Sequence, residues 1–150
     1  MIQFRVVGIP APQGSKRNVG NGRMIECSKK VKPWRESVKA AALVAMDDRS
    51  HFPMRGPLRA VIEFTFCRPK GHYGTGKNAD RIKERAPYFQ ASKPDLDKLV
   101  RSTFDALTES GIWMDDAQVV ELVTSKHFDQ RHGAIITISE SLALSSESLA

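Results

Sequence analysis

Residues 93–118 read KPDLDKLVRSTFDALTESGIWMDDAQ, and this stretch predicts a helix over Asp97–Leu107. At about 100° per residue, one arc of the helix about 140° wide is apolar apart from a threonine. The members of that arc are Leu96, Leu99, Val100, Thr103, Phe104 and Leu107. Asp97, Arg101 and Asp105 lie together at the edge of the other face, with Arg101 one turn above Asp97. The helix is therefore expected to pack by its apolar arc and to present Asp97 and Arg101.

Four aspartates flank this helix: Asp95, Asp97, Asp115 and Asp116. Hydrolysis of a phosphodiester uses a metal to polarise the phosphoryl oxygen, and Mg²⁺ needs only two or three carboxylates because it keeps several waters. The aspartates would converge if a strand after Asp116 folded the chain back. The same residues also suit helix caps, an exposed turn and a surface Asp97–Arg101 pair. Their spacing alone does not distinguish a metal site from these structural roles.

Outward from this segment, the pattern predicts a single α+β domain with a mixed β-sheet and two main helices. The polar turn 129–132 predicts that the last two strands form a C-terminal antiparallel hairpin. The predicted strands are Ile2–Ile9, Met24–Cys27, Leu58–Cys67, Val119–Phe128 and Gly133–Glu140, and the first helix is Pro33–Met46.

Three segments lack a regular pattern. Gln13–Ile25 is rich in Gly, Asn and basic residues, which indicates a flexible loop. The segment 68–92 is long for a loop in one domain, and such loops are functional or disordered. We expect the domain to span 1–140 and residues 141–150 to form a flexible tail.

The chain of 150 residues carries a formal net charge of +6, which favours polyanionic partners without identifying one. Basic residues concentrate in 15–39 and 68–85, and acids in 95–121. This distribution suggests a phosphate-attracting surface around a metal pocket, although an unevenly charged solvated surface is the alternative.

Several classes of protein are disfavoured. No apolar run predicts a membrane span, and the N-terminus lacks the features of a signal peptide. Cys27 and Cys67 belong to no CxxC pair, so we expect free thiols in a cytoplasmic protein. The four histidines lack zinc-site spacing, and the nucleotide-binding motifs GxxxxGK[ST] and GxGxxG are missing.

The motifs Pro94–Leu99, Phe104–Thr108, Gly111–Trp113 and Asp115–Val120 resemble the RusA family of Holliday junction resolvases, found in bacteria, prophages and phages. The family pattern is DLD followed by N or K, a helix containing DAL, and G-x-W-x-D-D-x-Q-V-V. GIPAPQGSKR at the N-terminus, followed by Gly22-Arg23, resembles the phage branch. The resemblance runs from Ile2 to about Glu140, leaving 68–92 unmatched.

The resemblance implies a RusA-like fold and a crossover junction endodeoxyribonuclease that acts in DNA recombination and repair. It implies a homodimer that cuts four-way junctions symmetrically with Mg²⁺ or Mn²⁺, without a nucleotide cofactor, in the cytoplasm of a bacterium or phage-infected cell. It assigns metal-binding and catalytic roles to Asp95, Asp97 and Asp116. Asp115 is expected to be either a further metal ligand or an outer partner.

Arg101 stands where the best-known family member has an essential lysine. Arginine keeps the charge but cannot donate a proton, so we expect Arg101 to bind or neutralise phosphate. Lys98 stands where the family often has asparagine, and we expect it to take over part of the lysine role. We expect Asp105 to cap the helix or pair with Lys98 or Arg101 rather than support the metal.

Lys16, Arg17 and Arg23 are the predicted phosphate contacts, together with Lys98, because the glycines of their loop let it follow a DNA backbone; a solvated loop is the alternative. Phe104 and Trp113 are expected in the core. Two other functions stay open: a less selective nuclease acting on flaps or other branched DNA, and a non-catalytic DNA-binding protein of the same fold.

Overall fold

A computed structural model describes residues 1–14, 16–18, 24–26 and 29–141, with only the backbone described at 16–18 and 24–26. The elements in chain order are β1 (Ile2–Val7), β2 (Lys16–Asn18), β3 (Met24–Glu26), α1 (Val31–Ala45), β4 (Leu58–Cys67), α2 (Leu96–Ser110), β5 (Val119–Asp129) and β6 (Gly133–Glu140). The predicted α+β domain with two main helices is confirmed, and its strand and helix boundaries differ from the predictions by at most three residues.

Four strands form one mixed sheet in the order β1-β6-β4-β5. Strand β6 is antiparallel to both of its neighbours, whereas β4 and β5 are parallel and are connected through α2. Strands β2 and β3 pair separately as a two-stranded antiparallel ribbon, which we call the basic ribbon. Within the stretch that was predicted to be a flexible loop, Lys16–Asn18 belongs to β2, whereas the predicted strand at Met24 is confirmed as β3.

The predicted C-terminal hairpin is wrong, because β4 lies between β5 and β6. Strand β6 carries the apolar run AIITI and takes an interior position, while β5 contains charged residues and takes the edge. The turn crosses the end of β4, where the Cys67 amide donates to His132 Nδ1 at 3.2 Å and the Cys67 thiol to the Gln130 carbonyl at 3.3 Å. Three residues are long enough to span the roughly 10 Å between strands two places apart.

The core lies between one face of the sheet and the two helices. Trp34 of α1 packs on Phe64 of β4, with ring centroids 6.3 Å apart, and its indole N–H donates to Thr103 Oγ1 of α2 at 3.1 Å. Phe104 and Trp113 meet edge to face at 5.3 Å, and Trp113 is only 1% exposed. The prediction that these two aromatic residues belong to the core is therefore confirmed.

Gly133 is required by a close approach between strands, since a Cβ there would lie 2.1 Å from the Val6 carbonyl oxygen.

The segment 68–92 is folded, with short 3₁₀ helices at Lys70–His72 and Gly76–Asn78. The expected tail beyond residue 141, Arg23 and Cys27 lie outside the described residues, and Cys67 is a free thiol. None of the described helices is long and apolar enough to cross a membrane.

Candidate active site

Asp95 and Asp97 stand at the N-terminal end of α2, and both are exposed. Asp95 is the N-cap residue, but its side chain makes no capping hydrogen bond; its Oδ2 lies 3.7 Å from Lys98 Nζ. Asp97 lies in the first turn, and within the described part of the chain it forms no ion pair with Arg101. Asp95 therefore does not cap the helix through its side chain, and Asp97 does not form the expected surface pair with Arg101. Both carboxylates are exposed to solvent, where a ligand can reach them.

The segment that leads into Asp95 is held by the edge strand. Lys126 of β5 donates from its Nζ to the carbonyl oxygens of Ser92 at 2.6 Å and Pro94 at 2.7 Å. The buried Gln90 side chain donates to the Lys93 carbonyl at 2.9 Å and accepts from the Ser92 amide at 3.2 Å. These contacts fix the path of the chain immediately before the aspartates.

A cavity of about 440 Å³ opens beside Asp95. Its apolar lining comes from the residues after β1 and from Phe66, and three lysines, Lys30, Lys93 and Lys98, also line it. A carboxylate beside three ammonium groups suits a site that holds a metal and an anionic substrate together. Lys98 was predicted from the sequence, whereas Lys30, which is distant along the chain, and Lys93, which precedes the motif, were not.

Asp115 and Asp116 lie beyond the other end of α2, which terminates at Gly111 with φ of 82°. Asp115 caps the 3₁₀ helix Asp116–Gln118, with its Oδ1 accepting from the Ala117 amide at 2.9 Å. The Gln118 side chain accepts from the amides of Met114 and Asp115 and donates to the carbonyls of Met54 and Gly56. One carboxylate oxygen of Asp115 is thus used structurally.

Asp116 is a carboxyl group whose pKa is raised. Burial raises its pKa above the ordinary value; a hydrogen bond with Asp115 and the charges of Asp115 and Asp105 raise it further. Asp105 forms no ion pair with Lys98 or Arg101 among the described residues and caps no helix, so that expectation is wrong. It contributes negative charge near Asp116 instead, and a bound cation would relieve this accumulation.

The two aspartate groups do not converge within one chain. They are separated by the 15 residues of α2, a length of about 22 Å. Strand β5 does fold back along the helix, but it starts after Asp116 and so leaves that residue at the far end. Among the described residues, no group of three or more His, Cys, Asp or Glu side chains could hold a metal. Asp95 and Asp97 offer oxygen donors of the kind Mg²⁺ prefers, but the described residues of one chain supply no third Asp, Glu, His or Cys beside them.

The segment that precedes the basic ribbon along the chain is attached to α2. The Gln13 amide donates to the Lys98 carbonyl at 3.1 Å, and Ser102 Oγ donates to the Ala11 carbonyl at 2.7 Å. The backbone of Lys16 and Arg17 belongs to β2, close along the chain to this attachment. The chain is therefore attached, just before the ribbon, to the end of the helix that carries Asp95 and Asp97.

Comparison with known proteins agrees with this architecture. The family model of endodeoxyribonuclease RusA matches residues 7–139. An uncharacterized protein of Bacillus subtilis, YqaN, is 30% identical over 141 residues, which cover 93% of this chain and 96% of YqaN. The crossover junction endodeoxyribonucleases RusA of Enterobacteria phage 82 and Escherichia coli K12 are each 47% identical over 47 residues, or 31% of this chain and 39% of their length. The fold and site thus define an endodeoxyribonuclease. The chain belongs to the RusA family.

Proposed function

We propose that this chain is a metal-dependent resolvase that cuts Holliday junctions by paired, symmetric nicks during recombination and repair. The observation that carries the proposal is the pair Asp95 and Asp97 at the start of α2: both are exposed and not used for capping, and Asp95 lines a cavity that three lysines also line. Membership of the RusA family and the names of the phage and Escherichia coli relatives support the four-way junction as substrate.

The separation of the aspartates supports a homodimer. A two-fold axis that packs two α2 helices antiparallel would bring Asp95 and Asp97 of one copy beside Asp116 of the other. The surface around Asp116 suits such a contact, because Met114, Val120 and Leu122 are 66%, 61% and 42% exposed. Leu122 pairs with the buried Ala60 and so lies on the helix side of edge strand β5.

In this arrangement Asp95 and Asp97, with Asp116 of the second copy, would hold Mg²⁺ or Mn²⁺. The bound cation would polarise the phosphoryl oxygen and lower the pKa of a water. Arg101 bears a permanent positive charge one turn above Asp97 and would bind the scissile phosphate. The basic ribbon, with Lys16 and Arg17, would bind the DNA arms through their phosphates, as would the lysines of the cavity.

The proposal is tested with Asp97→Asn and with the matched control Asp47→Asn, an exposed aspartate after α1. Both variants and the wild type are assayed with Mg²⁺ on a mobile four-way junction, a linear duplex and a flap. We expect wild type and Asp47→Asn to cut the junction selectively, and Asp97→Asn to bind it without cutting. Cleavage by Asp97→Asn at the wild-type rate would refute the catalytic role, and equal rates on all three substrates would leave a less selective nuclease.

A further inference from the structure

The segment 87–90 adds a short antiparallel strand to the outer edge of β5. The Phe128 amide donates to the Tyr88 carbonyl at 2.9 Å, and the Gln90 amide donates to the Lys126 carbonyl at 3.1 Å. Phe89 is bridged to His127 in the same antiparallel sense. The end of the loop 68–92 is thus fixed to the sheet.

This attachment builds a small aromatic surface, Tyr88, Phe89 and His127, which we call the aromatic platform. The Tyr88 ring lies parallel to the His127 ring, with an interplanar angle of 3° and centroids 5.1 Å apart, and Phe89 meets Tyr88 edge-on at 4.9 Å. Tyr88 is nevertheless 58% exposed and Phe89 60%. Two adjacent aromatic side chains of a folded segment are therefore left largely to solvent.

The platform rests on a second set of contacts that makes it rigid. Arg68 donates from Nη1 to the Pro87 carbonyl at 2.6 Å, and its guanidinium lies 5.3 Å from the centre of the Phe128 ring. His72 packs edge-on against the same ring at 4.8 Å. Because these contacts fix the backbone on both sides of the aromatic side chains, little conformational entropy would be lost when a ligand stacks on them.

The loop 68–92, which carries Tyr88 and Phe89, is rich in basic residues. Exposed cations of the same loop outnumber its acids, Asp80 and Glu84. These cations are Lys70, Lys77, Arg81, Lys83 and Arg85. Flat aromatic faces among cations are how proteins bind unpaired bases, with the rings stacking on a base and the cations attracting its phosphates. A hydrophobic protein partner would not need this charge.

The platform is also tied to the candidate active site. Strand β5 pairs with Tyr88 and Gln90 through residues 126 and 128, and the Lys126 side chain binds the carbonyls just before Asp95. Because side chains alternate along a strand, His127 and Lys126 lie on opposite faces of β5, so the platform is joined to the aspartate site through the backbone of this strand. In a perfect duplex no base is free to stack in this way, whereas a branch point can release one.

We propose that the aromatic platform stacks against an unpaired base at the branch point of the DNA substrate. This inference rests on the proposed function, since it takes branched DNA as the ligand. It adds a contact that distinguishes a branch point from a duplex arm, made by the rings of Tyr88 and Phe89.

The contact is tested by photo-crosslinking the wild-type protein, with EDTA present to prevent cleavage, to four-way junctions that carry one 5-iodouracil. The modified base stands either at the branch point or in the middle of an arm, and the crosslinked residue is identified by mass spectrometry. We expect crosslinks to Tyr88 or Phe89 from the branch-point position only. Crosslinks to other residues alone, or equal yields from the arm position, would overturn the proposal.

A variant series supplies the second readout, junction affinity in EDTA. Tyr88→Leu combined with Phe89→Leu keeps apolar bulk but removes both rings, Tyr88→Phe keeps the ring, and Ile82→Ala removes another exposed apolar side chain of the loop. We expect the double variant to bind the junction about tenfold more weakly, in the range for base–aromatic stacking, with duplex affinity unchanged. Tyr88→Phe and Ile82→Ala should match wild type.

The results separate this inference from the proposed function. If the double variant binds and cuts the junction like wild type, the platform has no role while the resolvase proposal stands. If the wild-type protein neither binds nor cuts the junction, the proposed function fails and the stacking contact fails with it.

Discussion

The Lys126 ammonium lies 2.7 Å from the carbonyl oxygen of Pro94, so the edge strand β5 holds the residue that precedes Asp95. A second bond from the same ammonium reaches the Ser92 carbonyl. The position of the first catalytic candidate thus depends on a lysine 31 residues further along the chain. By donating to these two carbonyl oxygens, the ammonium fixes the path of the backbone and so positions the Asp95 carboxylate indirectly.

Lys126→Met should lower the cleavage rate while leaving most junction affinity in place, because the variant keeps the aliphatic stem but frees the Ser92–Pro94 backbone. A displacement of the carboxylate by about 1 Å can cost up to about 100-fold in rate. Single-turnover cleavage and equilibrium binding are measured separately. Lys39→Met, at an exposed position of α1, is the control. Equal losses in both measurements would instead make Lys126 a DNA contact.

Mixing two inactive variants tests whether the aspartates are shared between two copies. Asp97→Asn and Asp116→Asn should each be inactive alone, but their heterodimer would contain one intact set and one doubly altered set. Random mixing should restore nicking to about a quarter of the wild-type rate, since half of the dimers are mixed and each has one working site. The restored product should be a nicked junction rather than a resolved one. No recovery after subunit exchange would rule out shared sites.

The raised pKa of Asp116 predicts an acid limit to activity. A carboxyl group must be deprotonated to bind a metal, so cleavage at limiting Mg²⁺ should fall as the pH falls, at a higher pH than for an ordinary aspartate. Asp105→Asn removes one of the charges that raise this pKa and should move the limit to lower pH. Rates are measured over a pH series with Asp47→Asn as control, and an unmoved limit would refute the coupling.

The same shift has a consequence for the stability of the metal-free protein. Because the folded chain binds the Asp116 proton more tightly than the unfolded chain, the protonated group favours folding, and this contribution is lost as the pH rises through the raised pKa. Asp116→Asn should therefore not destabilise the metal-free protein near neutral pH. Thermal unfolding in EDTA checks this, and a large drop in Tm would contradict it.

Substitutions of Arg101 test whether the site needs an arginine or any positively charged side chain at this position. Arg101→Lys should keep much of the activity if the role is to attract phosphate, whereas Arg101→Met should lose it by about 10²- to 10³-fold, the usual loss for a group that stabilises transition-state charge. Arg35→Lys and Arg35→Met, at the exposed ion pair with Glu109, are the matched controls. Similar rates for Arg101→Met and wild type would remove Arg101 from the site.

Thr103→Val tests the contact between the two helices. It is nearly isosteric but leaves the buried indole N–H of Trp34 without its acceptor, and such an unsatisfied donor costs about 1–3 kcal/mol. Denaturant unfolding measures the loss. Thr137→Val, which removes an exposed bond from Gln3, should change the free energy of unfolding by less than about 0.5 kcal/mol. Equal effects of the two substitutions would contradict the buried bond's importance.

Local patterns predicted most elements, because periodicity is a local signal. The alternation of Ala60, Ile62, Phe64 and Phe66 located β4, and the apolar arc located α2. Strand neighbours are a non-local property, so the turn 129–132 was wrongly interpreted as a hairpin. The apolar character of β6 compared with the charged β5 was the available signal that β6 would be the interior strand.

The candidate site was predictable in its residue types and not in its geometry. The motif around Asp95 and Asp97 identified the carboxylates, but only the length and direction of α2 reveal that Asp116 lies at the opposite end. Lys126 could not be recognised, because a lysine alternating along an edge strand resembles ordinary surface charge. Tyr88 and Phe89 lie in a segment without periodicity, and their stacking depends on a contact with β5.

The insertion of β6 between β1 and β4 also sets an order of events during synthesis on the ribosome. Strands β1 and β4 have no shared edge until β6 arrives, and β6 is the last strand of the sheet to be translated. Until then the nascent chain exposes unpaired strand edges rich in apolar side chains, the kind of surface that chaperones recognise. Completion of the four-stranded sheet is thus delayed until nearly the whole domain has been made.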